Sequence, residues 1–128
     1  MSKRREPDQA TAKALFDELA ADHLGRPGVT IGPAMRNEGL KVDGKLYAMV
    51  VRGRLVVKLP AARAAELTEA GDAVPFEPRP GRLMREWVMV DPPASSDDGG
   101  WRRLIEDAGD YVAALARGQA EPPPSGRR

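Results

Sequence analysis

An α+β fold built around an antiparallel sheet follows from three features of this 128-residue chain. The first is the segment 39–59, GLKVDGKLYAMVVRGRLVVKL, with three apolar runs and a tight-turn signal between each pair. The second is a short helical segment that separates this meander from two further strands. The third is a strongly amphipathic helix that closes the folded part. Strand sets split by helices indicate α+β rather than a parallel α/β sheet.

The elements take the order helix, three-stranded meander, helix, two strands, helix. The first helix starts near Asp8, whose carboxylate can cap free backbone N–H groups. Leu15, Phe16 and Leu19 share one side, with Ala12 and His23 extending the stripe. Gly25 and Pro27 end the helix. A weak strand follows over residues 29–36, with Pro33 at an edge or bulge.

In the meander, Asp43-Gly44 suits a type I′ hairpin turn, because both central residues there need positive φ. Gly53-Arg54 suits type II′, which sets Val51 opposite Val56, Val50 opposite Val57 and Ala48 opposite Leu59. One face then carries Leu46, Ala48, Val50, Leu55, Val57 and Leu59. The other carries Leu40, Tyr47, Met49, Val51 and Val56, interrupted by Lys58. A sheet buried on one side alone alternates apolar and polar residues. This one is apolar on much of both, which predicts cover on each face from helices or a second subunit.

Residues 60–70 read as a short helix, opened by Pro60 and stopped by Gly71. Val74-Pro75-Phe76 begins a strand, Pro78-Arg79-Pro80-Gly81 is a turn, and 83–90 is a further strand. Trp87 and Met89 fall on one face of it, Val88 and Val90 on the other. A loop over 91–100 leads to a last helix over 101–117. Its apolar residues Trp101, Leu104, Ile105, Ala108, Tyr111, Val112 and Leu115 recur at three- and four-residue spacing. Residues 1–7 read as a disordered arm, 8–117 as the folded domain and 118–128, with Pro122-Pro123-Pro124, as a disordered tail.

Composition narrows the functions. A body of this length has a radius of gyration of roughly 14 Å and can bury a real core. With no cysteine there is no disulfide, thiolate nucleophile or thiolate metal ligand. The absence of cysteine, and of an apolar leader, suits a cytoplasmic protein. The longest apolar run, residues 46–51, falls far short of the ~20 residues of a membrane span. The 20 basic residues meet 19 acidic ones, so there is no overall basic field to draw nucleic acid.

Individual candidates mostly have plain structural readings. His23, the only histidine, has no Cys or His partners at metal-ligand spacing and reads as a cation at a helix end. Asp97-Asp98 reads as a cap and first-turn acids of the last helix. Glu106, Asp107 and Asp110 read as its solvated face. Gly99-Gly100 lacks the Lys-Ser or Lys-Thr of a phosphate loop and reads as a hinge. No serine or threonine has a recognisable base and orienter, so no catalytic residue, metal or cofactor is predicted. Arg79, Arg82, Arg85 and Trp87 form the best basic-aromatic cluster, the combination that binds phosphate and stacks a base.

Several of these residues together resemble the N-terminal domain of the TfoX/Sxy competence regulators. The matching residues are Met35, Gly39-Leu40, Asp43-Gly44, Tyr47-Ala48, Leu55, Lys58, Gly71, Pro75-Phe76, Met84 and Trp101. They span about four-fifths of the chain in the family's order and spacing. Two positions depart from the family: Arg36-Asn37-Glu38 stand in place of Phe-Gly-Gly, and Glu86 in place of an aromatic. The resemblance implies a secretion-chaperone-like α+β fold. It also implies a non-enzymatic regulatory or protein-interaction module, linked in the best-known members to control of DNA uptake. The partner is then another protein or a second copy, as in a homodimer. The competing expectations are weak nucleic-acid binding through the Arg79 to Trp87 region, and a small-molecule site between the meander and a helix.

Overall fold

A computed structural model describes residues 8–34, 37–79, 81–93 and 99–118. The elements are α1 (Gln9–His23), β1 (Val29–Ala34), β2 (Asn37–Val42), β3 (Lys45–Val51), β4 (Arg54–Lys58), α2 (Ala61–Glu69), β5 (Val74–Arg79), β6 (Arg82–Val90) and α3 (Gly99–Ala116). The six strands form one antiparallel sheet in the order β1-β2-β3-β4-β6-β5. The fold is α+β, and the weak strand ahead of the meander is its fourth member. The arm 1–7 and residues 119–128 of the expected tail lie outside the described residues.

Local chemistry accounts for most boundaries. The Asp8 carboxylate accepts from the Thr11 N–H at 3.0 Å, which caps α1. The Thr11 hydroxyl and N–H hold that carboxyl below its ordinary pKa. Asp43 and Gly44 have φ of 52° and 81°, so the β2–β3 connection is the expected type I′ turn. Pro33 lies on edge strand β1, and Pro75 and Pro78 on the opposite edge, β5. Proline lacks the N–H that an incoming strand would pair with, so both edges are blunted. Pro78 and Arg79 thus belong to β5 rather than to the turn, and Gly99-Gly100 form the first residues of α3 rather than a hinge.

The second hairpin differs from the sequence expectation. Its turn residues are Arg52 and Gly53, at φ of 51° and 81°, a type I′ turn. Val51 therefore pairs with Arg54, Val50 with Leu55, Met49 with Val56 and Ala48 with Val57. The partner moves by two positions, so the faces of β3 and β4 are preserved. Gln9 at the start of α1 supports this turn: its Oε1 accepts from the Gly53 N–H at 2.6 Å.

A β-bulge changes the faces themselves. Lys41 pairs with Leu46, but Leu40 pairs with Ala48, so Tyr47 is the extra residue on β3. Leu40 thereby joins Ala48 and Val50 on the helix side, Tyr47 turns to that side as well, and Leu46 moves to the opposite face. The sequence alternation had assigned all three the other way.

The main core lies between this face of the sheet and the helices. Phe16, Leu19, Trp101, Leu104, Ile105, Ala108 and Val112 pack with Leu40, Val50, Leu55, Val57 and Val88. Ala64 of α2 joins the same core. Trp101 is 1% exposed, and its indole N–H donates to the Asp91 carbonyl at 2.9 Å. The opposite face holds a smaller cluster of Ala34, Met49, Val56 and Phe76, rimmed by partly buried Leu46, Val51, Trp87 and Met89. Helical residues contribute only to the first core, so of the cover expected on each face from helices or a second subunit, helices supply one side alone among the described residues.

Candidate functional site

The predicted basic-aromatic cluster falls on the β5–β6 hairpin, with Arg85 and Trp87 both on β6. Arg79 and Arg82 pair across the β5–β6 hairpin. Their side chains lie outside the described residues. Arg85 is exposed. Trp87 is partly buried in the small apolar cluster, beside Met89 and opposite Lys58 of β4. Lys58 in turn lies 3.7 Å from Glu86, so its charge is partly offset. Glu86 accepts from the Tyr111 hydroxyl at 3.1 Å. Burial, then the Glu86 charge, pushes the Tyr111 phenol up to about 12.

The polar group that the sequence reading missed is the pair His23 and Tyr47. His23 is 5% exposed and its Nδ1 lies 3.0 Å from the Tyr47 hydroxyl. Burial, and then the charge of Arg26, lower the imidazole pKa. Desolvation thus outweighs the opposing Glu106, Asp22 and Asp110 charges, and His23 is a core group favoured in its neutral form rather than a helix-end cation. Burial also pushes the Tyr47 phenol up to about 12. The bulge makes the pair possible, since a regular β3 would turn Tyr47 to the far face. Gly109 of α3 completes the arrangement: a Cβ there would meet the Tyr47 ring at 3.1 Å. A glycine in the middle of an otherwise alanine-rich helix was the available sequence signal.

Above this pair lies a cleft of about 310 Å³. Arg26 and Pro27 wall it on the α1 side, Val29, Val42 and Tyr47 from the sheet, and Gly109, Asp110, Ala113 and Arg117 along α3. Arg26 is held at the rim by Glu106 at 3.5 Å and Asp110 at 3.4 Å. These acids, read as a solvated face, are exposed but tie α3 to the end of α1. Asp107 is partly buried and reaches Arg63 of α2 at 3.3 Å.

Asp97-Asp98 lie outside the described residues. Among the described residues no three His, Asp or Glu side chains gather as a metal cluster, and no described helix is long and apolar enough to cross a membrane. No family model, curated protein or solved structure matches the chain.

Proposed function

We propose that this domain is a non-enzymatic binding module of the TfoX N-terminal kind that works by association through the sheet face that no described helix covers. One observation carries the reading. Buried Met49 and Val56 at the centre of that face are surrounded by Leu46, Val51, Trp87 and Met89, apolar side chains that remain only partly buried, with no described helix packed on them. Partly buried apolar side chains gathered on one sheet face are surface that association can cover. A second copy presents the same patch, and a two-fold axis through it closes the assembly as a homodimer. The blunted edge strands turn association away from edge pairing and toward this face. A cytoplasmic setting fits a chain without cysteine.

Light scattering across a wide concentration range tests the reading. A mass that rises from monomer to dimer, and stays monomeric in Met89→Glu, supports it. A strict monomer at every concentration removes self-association and leaves a different protein as the partner. The nucleic-acid reading keeps exposed Arg85, two residues from Trp87, as its support. It predicts affinity that falls steeply with salt, and no gel shift at low salt would exclude it.

A further inference from the structure

We infer that Met89 is an oxidation switch on the association face: conversion of its thioether to a sulfoxide releases the second copy and leaves the fold standing. The switch rests on the proposed association and adds its regulation. The placement of the methionines points to it. Met49 lies at the centre of the small cluster, Met89 on its rim, and Met84 pairs with Phe76 of the same cluster. The helix-side core holds no methionine among the described residues. Met1 and Met35 lie outside the described residues. The chain has no cysteine, so its thioethers are its only sulfur groups.

Exposure separates the two methionines of the face. Met49 is 1% exposed and shielded from an oxidant in solution. Met89 is only partly buried, opposite Val56 of β4. In the single chain it keeps contact with solvent, and a docked second copy covers it. The chemistry is a two-electron oxygen transfer. A sulfur lone pair attacks one oxygen of hydrogen peroxide, the O–O bond breaks, and the leaving hydroxide takes the remaining proton as water. Sulfur loses two electrons and the peroxide gains them. The product is polar and chiral where an apolar side chain stood. Against a partner's apolar side chains its oxygen finds no donor to replace water. Under a two-fold axis each oxidised interface would hold two such groups. The helix-side core has no described thioether to oxidise, so association is lost before folding. Thiol-dependent sulfoxide reductases reverse the change.

The test treats the full chain with dilute hydrogen peroxide, locates the added oxygen by peptide mass mapping and measures the dimer dissociation constant by light scattering. Oxygen is expected on Met89 before Met49. The dissociation constant should rise about tenfold or more, with an unchanged circular dichroism spectrum. A methionine sulfoxide reductase with dithiothreitol should restore it. In Met89→Leu, whatever its own dissociation constant, peroxide should change nothing. The rate of oxygen gain at Met89 should also fall as chain concentration rises, a readout that needs no variant. An untreated chain that stays monomeric at every concentration removes self-association, and the switch with it. An untreated chain that dimerises, and keeps the same constant once Met89 is oxidised, overturns the switch alone. So does a Met89→Leu dimer that peroxide still dissociates, or an oxidised chain that unfolds.

Discussion

The Tyr47 hydroxyl and His23 Nδ1 lie 3.0 Å apart in the core, and through them the end of α1, the bulge of β3 and the middle of α3 meet at one point. Tyr47 is 0% exposed and His23 5%. A buried polar atom without a partner is expensive, so each residue makes the other tolerable. Tyr47→Phe should cost about 1–3 kcal/mol, the penalty of leaving a buried imidazole nitrogen unpaired. Urea denaturation checks this, and a loss near zero would mean that water replaces the hydroxyl.

The same pair sets an acid limit. Burial and Arg26 lower the His23 pKa below its ordinary 6.5, against the opposing charges of Glu106, Asp22 and Asp110. The unfolded chain thus binds more protons than the folded one between the two values, and stability rises with pH there. The contribution is present in full above about 6.5 and is lost as pH falls through the folded value. Melting temperatures should drop between neutral pH and the folded-state value, and His23→Gln should flatten that part of the profile. An unchanged slope would place the acid sensitivity elsewhere.

Gly109 gives a prediction whose sign can be inverted. Glycine to alanine inside a helix normally gains about 0.5–1 kcal/mol. Here the new methyl would sit 3.1 and 3.2 Å from Tyr47 ring carbons and 3.4 Å from its hydroxyl oxygen. The ring is fully buried and tied to His23, so it cannot withdraw, and overpacking should cost about 1–3 kcal/mol. In a Tyr47→Leu background the obstacle is gone, and Gly109→Ala should then stabilise. A double-mutant cycle read by chemical denaturation separates the two outcomes.

The β3–β4 turn is tested at Arg52. Its φ of 51° holds a side-chain-bearing residue in the left-handed region, which costs about 1–2 kcal/mol. Asparagine suits the first central position of a type I′ turn, so Arg52→Asn should stabilise by about 0.5–1 kcal/mol. Gly53→Val should destabilise by roughly 1–2 kcal/mol or more, since Gly53 has a φ of 81°. Were the turn at Gly53-Arg54 instead, Arg52 would be an ordinary strand residue and asparagine there would bring no gain.

These sites show why some of the fold was legible in the sequence and some was not. Asp43-Gly44 names its turn because both residues tolerate positive φ. In Val-Arg-Gly-Arg-Leu the glycine serves either of two turns, and a two-position shift leaves every face unchanged, so alternation could not choose. The choice rests on the native pairs and on Gln9 reaching the Gly53 N–H, a contact 44 residues away in sequence. The bulge at Tyr47 was equally hidden, since it is fixed by His23 and Gly109 from distant elements. The α3 face was plain because seven apolar residues repeat its period. The residues that line the cleft were not, because Arg26, Val42 and Ala113 share no local pattern and meet only when the helices dock.

The two tryptophans occupy opposite sides of the sheet, and that separation makes the last prediction. Trp101 is 1% exposed in the helix-side core, whereas Trp87 is partly buried on the face that no described helix covers. Trp101→Ala should cost about 3–5 kcal/mol through the cavity it leaves. Trp101→Phe keeps most of the packing and removes mainly the bond to the Asp91 carbonyl, for about 0.5–1.5 kcal/mol. That milder variant leaves Trp87 as the sole tryptophan, a fluorescence reporter on the proposed association face. Its quenching by acrylamide should fall as protein concentration rises and the face becomes covered. In Trp87→Phe the remaining Trp101 should be poorly quenched at every concentration. Quenching of Trp87 that stays constant with concentration would mean that copies of this chain do not associate through that face.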